Sequence, residues 1–180
     1  MSTLEDKGFS PEAIDRLITQ IIDLGRVNLT SDPSTAGINS LSTMLVEIVD
    51  RRSKLSRIQG RVLVAGKRSK AKLTHLKAEI KIGLDELLTS DNEVKRASNQ
   101  RTREARARQR LAPQYEEMKD LEEEVIVFDG ILEACAIADK NLTQAKEAVS
   151  KQTQIASLDL QASGMPPMPQ VIPKVGRSGL

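Results

Sequence analysis

Apolar residues recur at steps of three and four along most of this chain, the spacing of a helix that buries one face. Ile14, Leu17, Ile18, Ile21 and Ile22 make the first such face. Ser10-Pro11-Glu12 ahead of it supplies an N-cap, a proline for the first helical position and an acid for the first turn. Gly25 is a natural stop. Residues 29–38 are rich in Ser, Thr, Asp, Pro and Gly and predict a loop, with Asp32-Pro33 placed to cap the next helix.

A long helical pattern then runs from about Thr35 to Leu88. Alternating steps of three and four from Ile38 mark a seam that is apolar at Ile38, Leu41, Leu45, Ile48, Leu55, Val62, Leu73, Leu76, Ile80 and Leu87. The seam is interrupted at Arg52, Gln59, Gly66, Ser69 and Gly83. This is a coiled-coil seam weakened in its middle. Each interior glycine costs about 1 kcal/mol against alanine, so Gly60 to Gly66 is where a break or hinge could fall. If unbroken, the helix is about 80 Å long at about 1.5 Å per residue.

Ser90-Asp91-Asn92-Glu93 has the form of a capping box and predicts a tight turn into a second long helix. That helix should run from Val94 toward Gln109 and restart or kink at Pro113. It should then continue to about Leu158 on a face made of Tyr115, Met118, Leu121, Val125, Phe128, Leu132, Cys135, Ala138, Leu142, Ala145 and Val149. Beyond Leu160 prolines and glycines preclude a helix, while Val171, Ile172 and Val175 suit the tail to docking. The fold class expected is all-α. A short helix and loop occupy 1–33, a long helical hairpin 34–160 and a Pro-rich tail 161–180.

Composition agrees with a coiled coil. Aromatics are 2% of the chain, so Leu, Ile, Val and Ala must fill the core. One cysteine excludes an intrachain disulfide and fits a reducing compartment. No run approaches the roughly 20 apolar residues of a membrane span. The opening residues MSTLEDKGFS carry acids and no apolar stretch, unlike a secretory signal. A cytoplasmic protein without a membrane partner is expected.

Charge changes the picture more. Between Arg51 and Arg110 there are 18 Lys or Arg against 6 Asp or Glu; between Glu116 and Asp139 there are 9 acids and one base, Lys119. The net charge of +2 conceals this contrast. On the seam register Lys54, Arg61, Arg68 and His75 share one outer face, with Arg57 beside them and Lys67, Lys70, Lys72, Lys77 and Lys81 flanking. Arg101, Arg103, Arg106, Arg108 and Arg110 follow in the next helix, and in a hairpin the two basic stretches are expected to merge near the closed end. Such a surface suits phosphates, with steep salt dependence. No aromatic lies between Arg51 and Arg110, so bases have nothing to stack on and binding is expected to lack sequence preference. The competing readings are pairing of base with acid between subunits and a plain solvated face.

Catalytic chemistry is not indicated. Glu116, Glu117, Asp120, Glu122, Glu123 and Glu124 wrap most of a helix that is expected to expose them, and the one histidine, His75, is far away in sequence. There is no phosphate-binding glycine loop and no Cys/His metal-ligand spacing. Cys135 lies on the apolar stripe and reads as a small buried hydrophobe. Neither enzyme activity, nor a cofactor, nor a metal is expected. Leu63, Val64, Ile82, Leu84, Leu88, Val127 and Ile131 fall off the main seam and imply a second apolar face, hence a homo-oligomeric ring or bundle. Leu73, Leu76, Ile80, Leu121, Val125, Phe128 and Leu132 are the expected oligomer or partner contacts.

Ser90-Asp91-x-Glu93-Val94, Gly130-Ile131-Leu132-Glu133-x-Cys135 and the Lys-rich segment LTHLKAEIKIGLDELL together resemble the T4-type phage recombination mediators (UvsY-like). The resemblance covers roughly residues 40 to 155. It implies a small helical oligomer in the host cytoplasm that binds single-stranded DNA and helps load a RecA-type recombinase onto DNA covered by single-strand-binding protein. The N-terminal helix, the Arg-rich insert up to Pro113 and the Pro-rich tail depart from that pattern. The alternative is a structural helical protein of a virion or other large assembly, docking through its coiled coil and tail.

Overall fold

The computed structural model describes residues 9–27 and 37–162, and among them the fold is all-α. Helix α1 spans Pro11–Gly25, α2 Ile38–Ser90, α3 Asn92–Lys95, α4 Gln100–Arg110 and α5 Ala112–Ala162. Helices α2 and α5 form a long antiparallel hairpin. Gly66 faces Phe128 and Gly83 faces Leu111, so each step forward on α2 is a step back on α5. The Asp32-Pro33 cap and the tail from residue 163 onward lie outside the described residues.

The seam read from sequence is the one that folds. Leu41, Ile48, Leu55, Val62, Gly66, Ser69, Leu76 and Ile80 are buried, and only Gln59 among its slots is exposed. Helix α2 is continuous through Gly60 and Gly66, without a break. The interruptions are matched across the interface. A Cβ on Gly66 would stand 3.2 Å from that of Phe128, so the missing side chain admits the largest ring of the core. Gly83 makes the same room for Leu111. Ser69 pairs with Glu124, and Arg52 holds Asp139 through two hydrogen bonds at 2.9 and 3.2 Å.

Two apolar clusters result. The larger joins Ile21, Leu41, Ile48, Leu55, Val62, Phe128, Ile131, Cys135, Ala138, Leu142 and Val149. The smaller, toward the closed end, joins Leu76, Ile80, Leu111 and Leu121, flanked by Leu73, Leu84, Leu87, Tyr115 and Met118. Ser69 and Glu124 sit between them.

Helix α1 completes the larger cluster. Ser10 Oγ accepts from the Ala13 N–H at 3.3 Å, and Pro11 takes the first helical position. Phe9 meets Phe128 edge to face with ring centroids 5.2 Å apart, and Gly25 rests on Ala138, so α1 runs in the direction of α5. Arg51 Nη1 donates to the carbonyls of Asp23 and Arg26 at 3.1 and 2.6 Å and so satisfies the C-terminal end of α1. Ile22 does not share the buried face and is 48% exposed.

The turn differs from expectation in its details. Ser90 is the last residue of α2, and Asp91 is the N-cap, accepting from the N–H groups of Glu93 and Val94 at 2.8 and 3.1 Å. The second arm does not start as one helix at Val94. It breaks after α3, and Asn99 Oδ1 caps α4 through the Thr102 N–H at 2.9 Å. Leu111 ends α4, and Pro113 falls in the first turn of α5, where its missing N–H costs nothing.

Candidate nucleic-acid interface

Folding back α5 lays its acidic stretch along the basic stretch of α2, and this divides the cations into two sets. The inner set is spent on the hairpin. Arg52 pairs with Asp139, Lys70 with Asp129 at 2.9 Å and Lys77 with Glu122 at 2.7 Å. Lys54 is held by Asp50 at 2.7 Å, one turn earlier on α2. Lys54, Lys70 and Lys77 therefore stand in the proposed surface with their charge already compensated.

The outer set is different. Arg57, Arg61, Lys67, Arg68, Lys72 and Lys81 are all exposed, and none has an ion-pair partner among the described residues. They occupy the back and flank of α2 because the seam takes every third and fourth residue for the core, leaving the positions between to solvent. Seven residues separate Arg61 from Arg68, which sets those two guanidinium stems about 10 Å apart along the axis. His75 lies on the same face and reaches Glu79 at 3.4 Å.

The arginines at the closed end also divide. Arg110 is bound by Asp91 and Glu93, Arg106 Nη1 donates to the Glu93 carbonyl at 2.9 Å, and Arg103 Nε donates to the Ala97 carbonyl at 3.2 Å. These three fasten α4 to the turn. Arg101 and Arg108 are exposed and without an ion pair among the described residues. Arg57 to Arg68 lie level with the α5 segment that carries Asp129 and Glu133, and Arg101 and Arg108 lie on α4 at the closed end.

Of the residues expected to contact other subunits, four lie inside the chain and three at the edge of its seam. Leu76, Ile80, Leu121 and Phe128 are buried in the hairpin's own seam, while Leu73, Val125 and Leu132 are half-buried beside it. Ile131, expected off the seam, is buried, and Val127 and Leu84 pack against the two clusters. Leu63, Val64 and Ile82 remain exposed at 42–59%.

The acidic stretch is not wholly exposed either. Glu124 is fully buried. Three- and four-residue steps from Leu121 give Glu124, Phe128, Ile131, Cys135 and Ala138, the row the structure buries. Reading the face through Val125 and Leu132 hid it. Arg51, the anchor of α1, carries no sequence signal that separates it from its basic neighbours. Burial pushes the Cys135 thiol above its ordinary range, as suits a core residue.

No group of His, Cys, Asp and Glu fit to hold a metal occurs among the described residues, and no helix among them is long and apolar enough to cross a membrane. The chain matches no family model, no curated protein and no solved structure.

Proposed function

We propose that this chain binds nucleic acid through its sugar-phosphate backbone, without sequence preference, using the outer row of α2 and the free arginines of α4. The observation that carries the reading is the division of charge. The fold neutralises the inner cations within the hairpin, yet leaves Arg57, Arg61, Lys67, Arg68, Lys72 and Lys81 uncompensated along one helix. Like charges at helical spacing repel, and a polyanion relieves that repulsion while its counterions are released. The row offers no aromatic for stacking, so affinity rests on phosphates.

Single-stranded DNA is the favoured ligand. In the finer form of the proposal the protein is a recombination mediator that presents DNA to a RecA-type recombinase in the presence of a single-strand-binding protein. That form rests on the UvsY-like resemblance of the turn, the Lys-rich segment and the Gly130–Cys135 motif.

The test is fluorescence anisotropy with a single-stranded oligonucleotide across about 50 to 300 mM salt. Tight binding with a steep log–log slope is expected, and it should disappear when Arg61, Arg68 and Lys72 are changed together to Glu in a protein that keeps its helical circular dichroism. Undiminished binding by that folded variant overturns the proposal.

The second reading, a structural element of a virion or other assembly, is favoured by the outward aliphatics Ile126, Ile137 and Ile82. It predicts no affinity for free DNA at physiological salt, and loss of assembly when residues 163–180 are deleted.

A further inference from the structure

The backs of the two long helices carry matching stripes. On α2 the outward stripe is Arg57, Arg61, Val64 and Arg68; on α5 it is Ile126, Gly130, Glu133 and Ile137. Both follow the same steps of four, three and four residues, so each lies along one side of its helix for about 16 Å. All eight residues are exposed, with Val64 at 51%, Ile126 at 69% and Ile137 at 57%. None of the charged ones has an ion-pair partner among the described residues.

The hairpin register fixes how the stripes stand relative to each other. Gly66 is level with Phe128 and Gly83 with Leu111. Carrying that alignment outward puts Arg61 at the height of Glu133, Val64 at Gly130, Arg57 at Ile137 and Arg68 at Ile126. The stripes face away from each other in one molecule. A copy moved sideways without rotation therefore brings its α5 stripe against the α2 stripe of the first, with every height preserved. Val64 then meets a gap, because a Cβ on Gly130 would have nothing within 4 Å. Arg61 meets Glu133. The aliphatic stems of Arg57 and Arg68 cover Ile137 and Ile126.

We propose that a second copy of this chain docks here, its Ile126–Ile137 stripe against the Arg57–Arg68 stripe, with Val64 seated over Gly130 and Arg61 paired with Glu133. The contact is head-to-tail and involves no rotation, so it leaves one stripe free at each end and propagates to an open row of copies. It is narrow, so each contact is weak and answers to concentration and salt. The α2 stripe uses Arg57, Arg61 and Arg68, which also belong to the phosphate row, so a second copy and nucleic acid compete for it. Sedimentation is therefore run without nucleic acid, and Gly130→Lys removes the protein contact without removing a cation.

The experiment is sedimentation of the full chain over a range of concentrations at low ionic strength and at about 1 M salt, where the Debye length is about 3 Å. The weight-average mass should rise with concentration at low salt and return toward the 19.8 kDa of one chain at high salt. Gly130→Lys fills the gap at an exposed helical site and improves helix propensity, so it should stay folded and lose the association. Arg61→Glu and Glu133→Arg should each sediment as single chains alone and associate when mixed, because only the mixture restores opposite charges at every contact. A wild-type protein that remains at the mass of one chain overturns the proposal, as does an association that Gly130→Lys leaves intact or that the mixed charge swaps fail to restore.

Discussion

Glu124 Oε1 lies 3.0 Å from Ser69 Oγ across the hairpin, and both side chains are shut off from solvent. Ser69 Oγ is also 3.1 Å from the Ala65 carbonyl oxygen. A carboxyl in a coiled-coil seam is costly unless its oxygens are satisfied, and a polar pair of this kind fixes register more than it adds stability. Ser69→Ala should therefore cost about 1–3 kcal/mol in urea denaturation, because it strips a partner from a buried group. Adding Glu124→Leu to it should recover most of that loss. Single and double losses that simply add would mean the two residues are not coupled.

Two glycines predict opposite responses to the same substitution. A Cβ on Gly25 would stand 2.8 Å from the Cβ of Ala138 and 2.9 Å from its Cα, and the backbone atom cannot yield. Gly25→Ala should push α1 off α5 and lower stability by about 1–3 kcal/mol. A Cβ on Gly60 would have nothing within 4 Å. Gly60→Ala should stabilise α2 by about 0.5–1 kcal/mol, since only the entropy of a helical glycine is removed. Thermal melts of the two variants decide both.

The α2 seam was legible in the sequence because its heptad is long and its apolar members outnumber the interruptions. The interruptions themselves were not, because a gap at Gly66 or Gly83 has meaning only once Phe128 or Leu111 is known to enter it. The α5 seam was misread between Leu121 and Leu132, where apolar Val125 beside acidic Glu124 is the obvious choice if burial of a carboxyl is discounted. The tip was read as one continued helix since the pattern after Val94 is mostly charged, and nothing apolar marks the break that Asn99 caps. For the candidate surface, every basic side chain was visible, but not which ones the acids of α5 would consume. That depends on the antiparallel register, which no local pattern states.

The turn should respond to acid. The Asp91 carboxyl is held below the usual carboxylate range, first by the hydrogen bond from the Val94 N–H against the opposing effect of desolvation, then by the Glu93 N–H and the Arg110 guanidinium. A depressed value in the folded protein means the carboxylate contributes stability above its unfolded value of about 3.9 and loses it as pH falls through the lower folded one. Asp91→Asn keeps a capping oxygen but not the charge facing Arg110. The difference in melting temperature between wild type and Asp91→Asn should be present at neutral pH and close as the pH falls below about 3.9. A gap that persists unchanged at strongly acid pH would show that the charge is immaterial and only the shape of the side chain matters.

The division between inner and outer cations makes a sharper claim about nucleic acid than affinity alone can test. Changing Lys70 and Lys77 to Ala, or Arg61 and Arg68 to Ala, removes the same net charge, so both pairs should weaken binding at low salt through the long-range field. Only contacts made directly to phosphates set the slope of log K against log salt. Lys70 and Lys77 are engaged with Asp129 and Glu122, whereas Arg61 and Arg68 have no ion pair within the described fold. On single-stranded DNA the arginine pair should reduce the magnitude of the slope by about 1.4, two phosphates at about 0.7 each, and the lysine pair should leave it close to wild type. Equal losses of slope from the two pairs would mean that the hairpin's ion pairs open on binding and the distinction between the two sets dissolves. Unchanged slopes for both would move the phosphate contacts away from the back of α2, toward Arg101 and Arg108 at the tip.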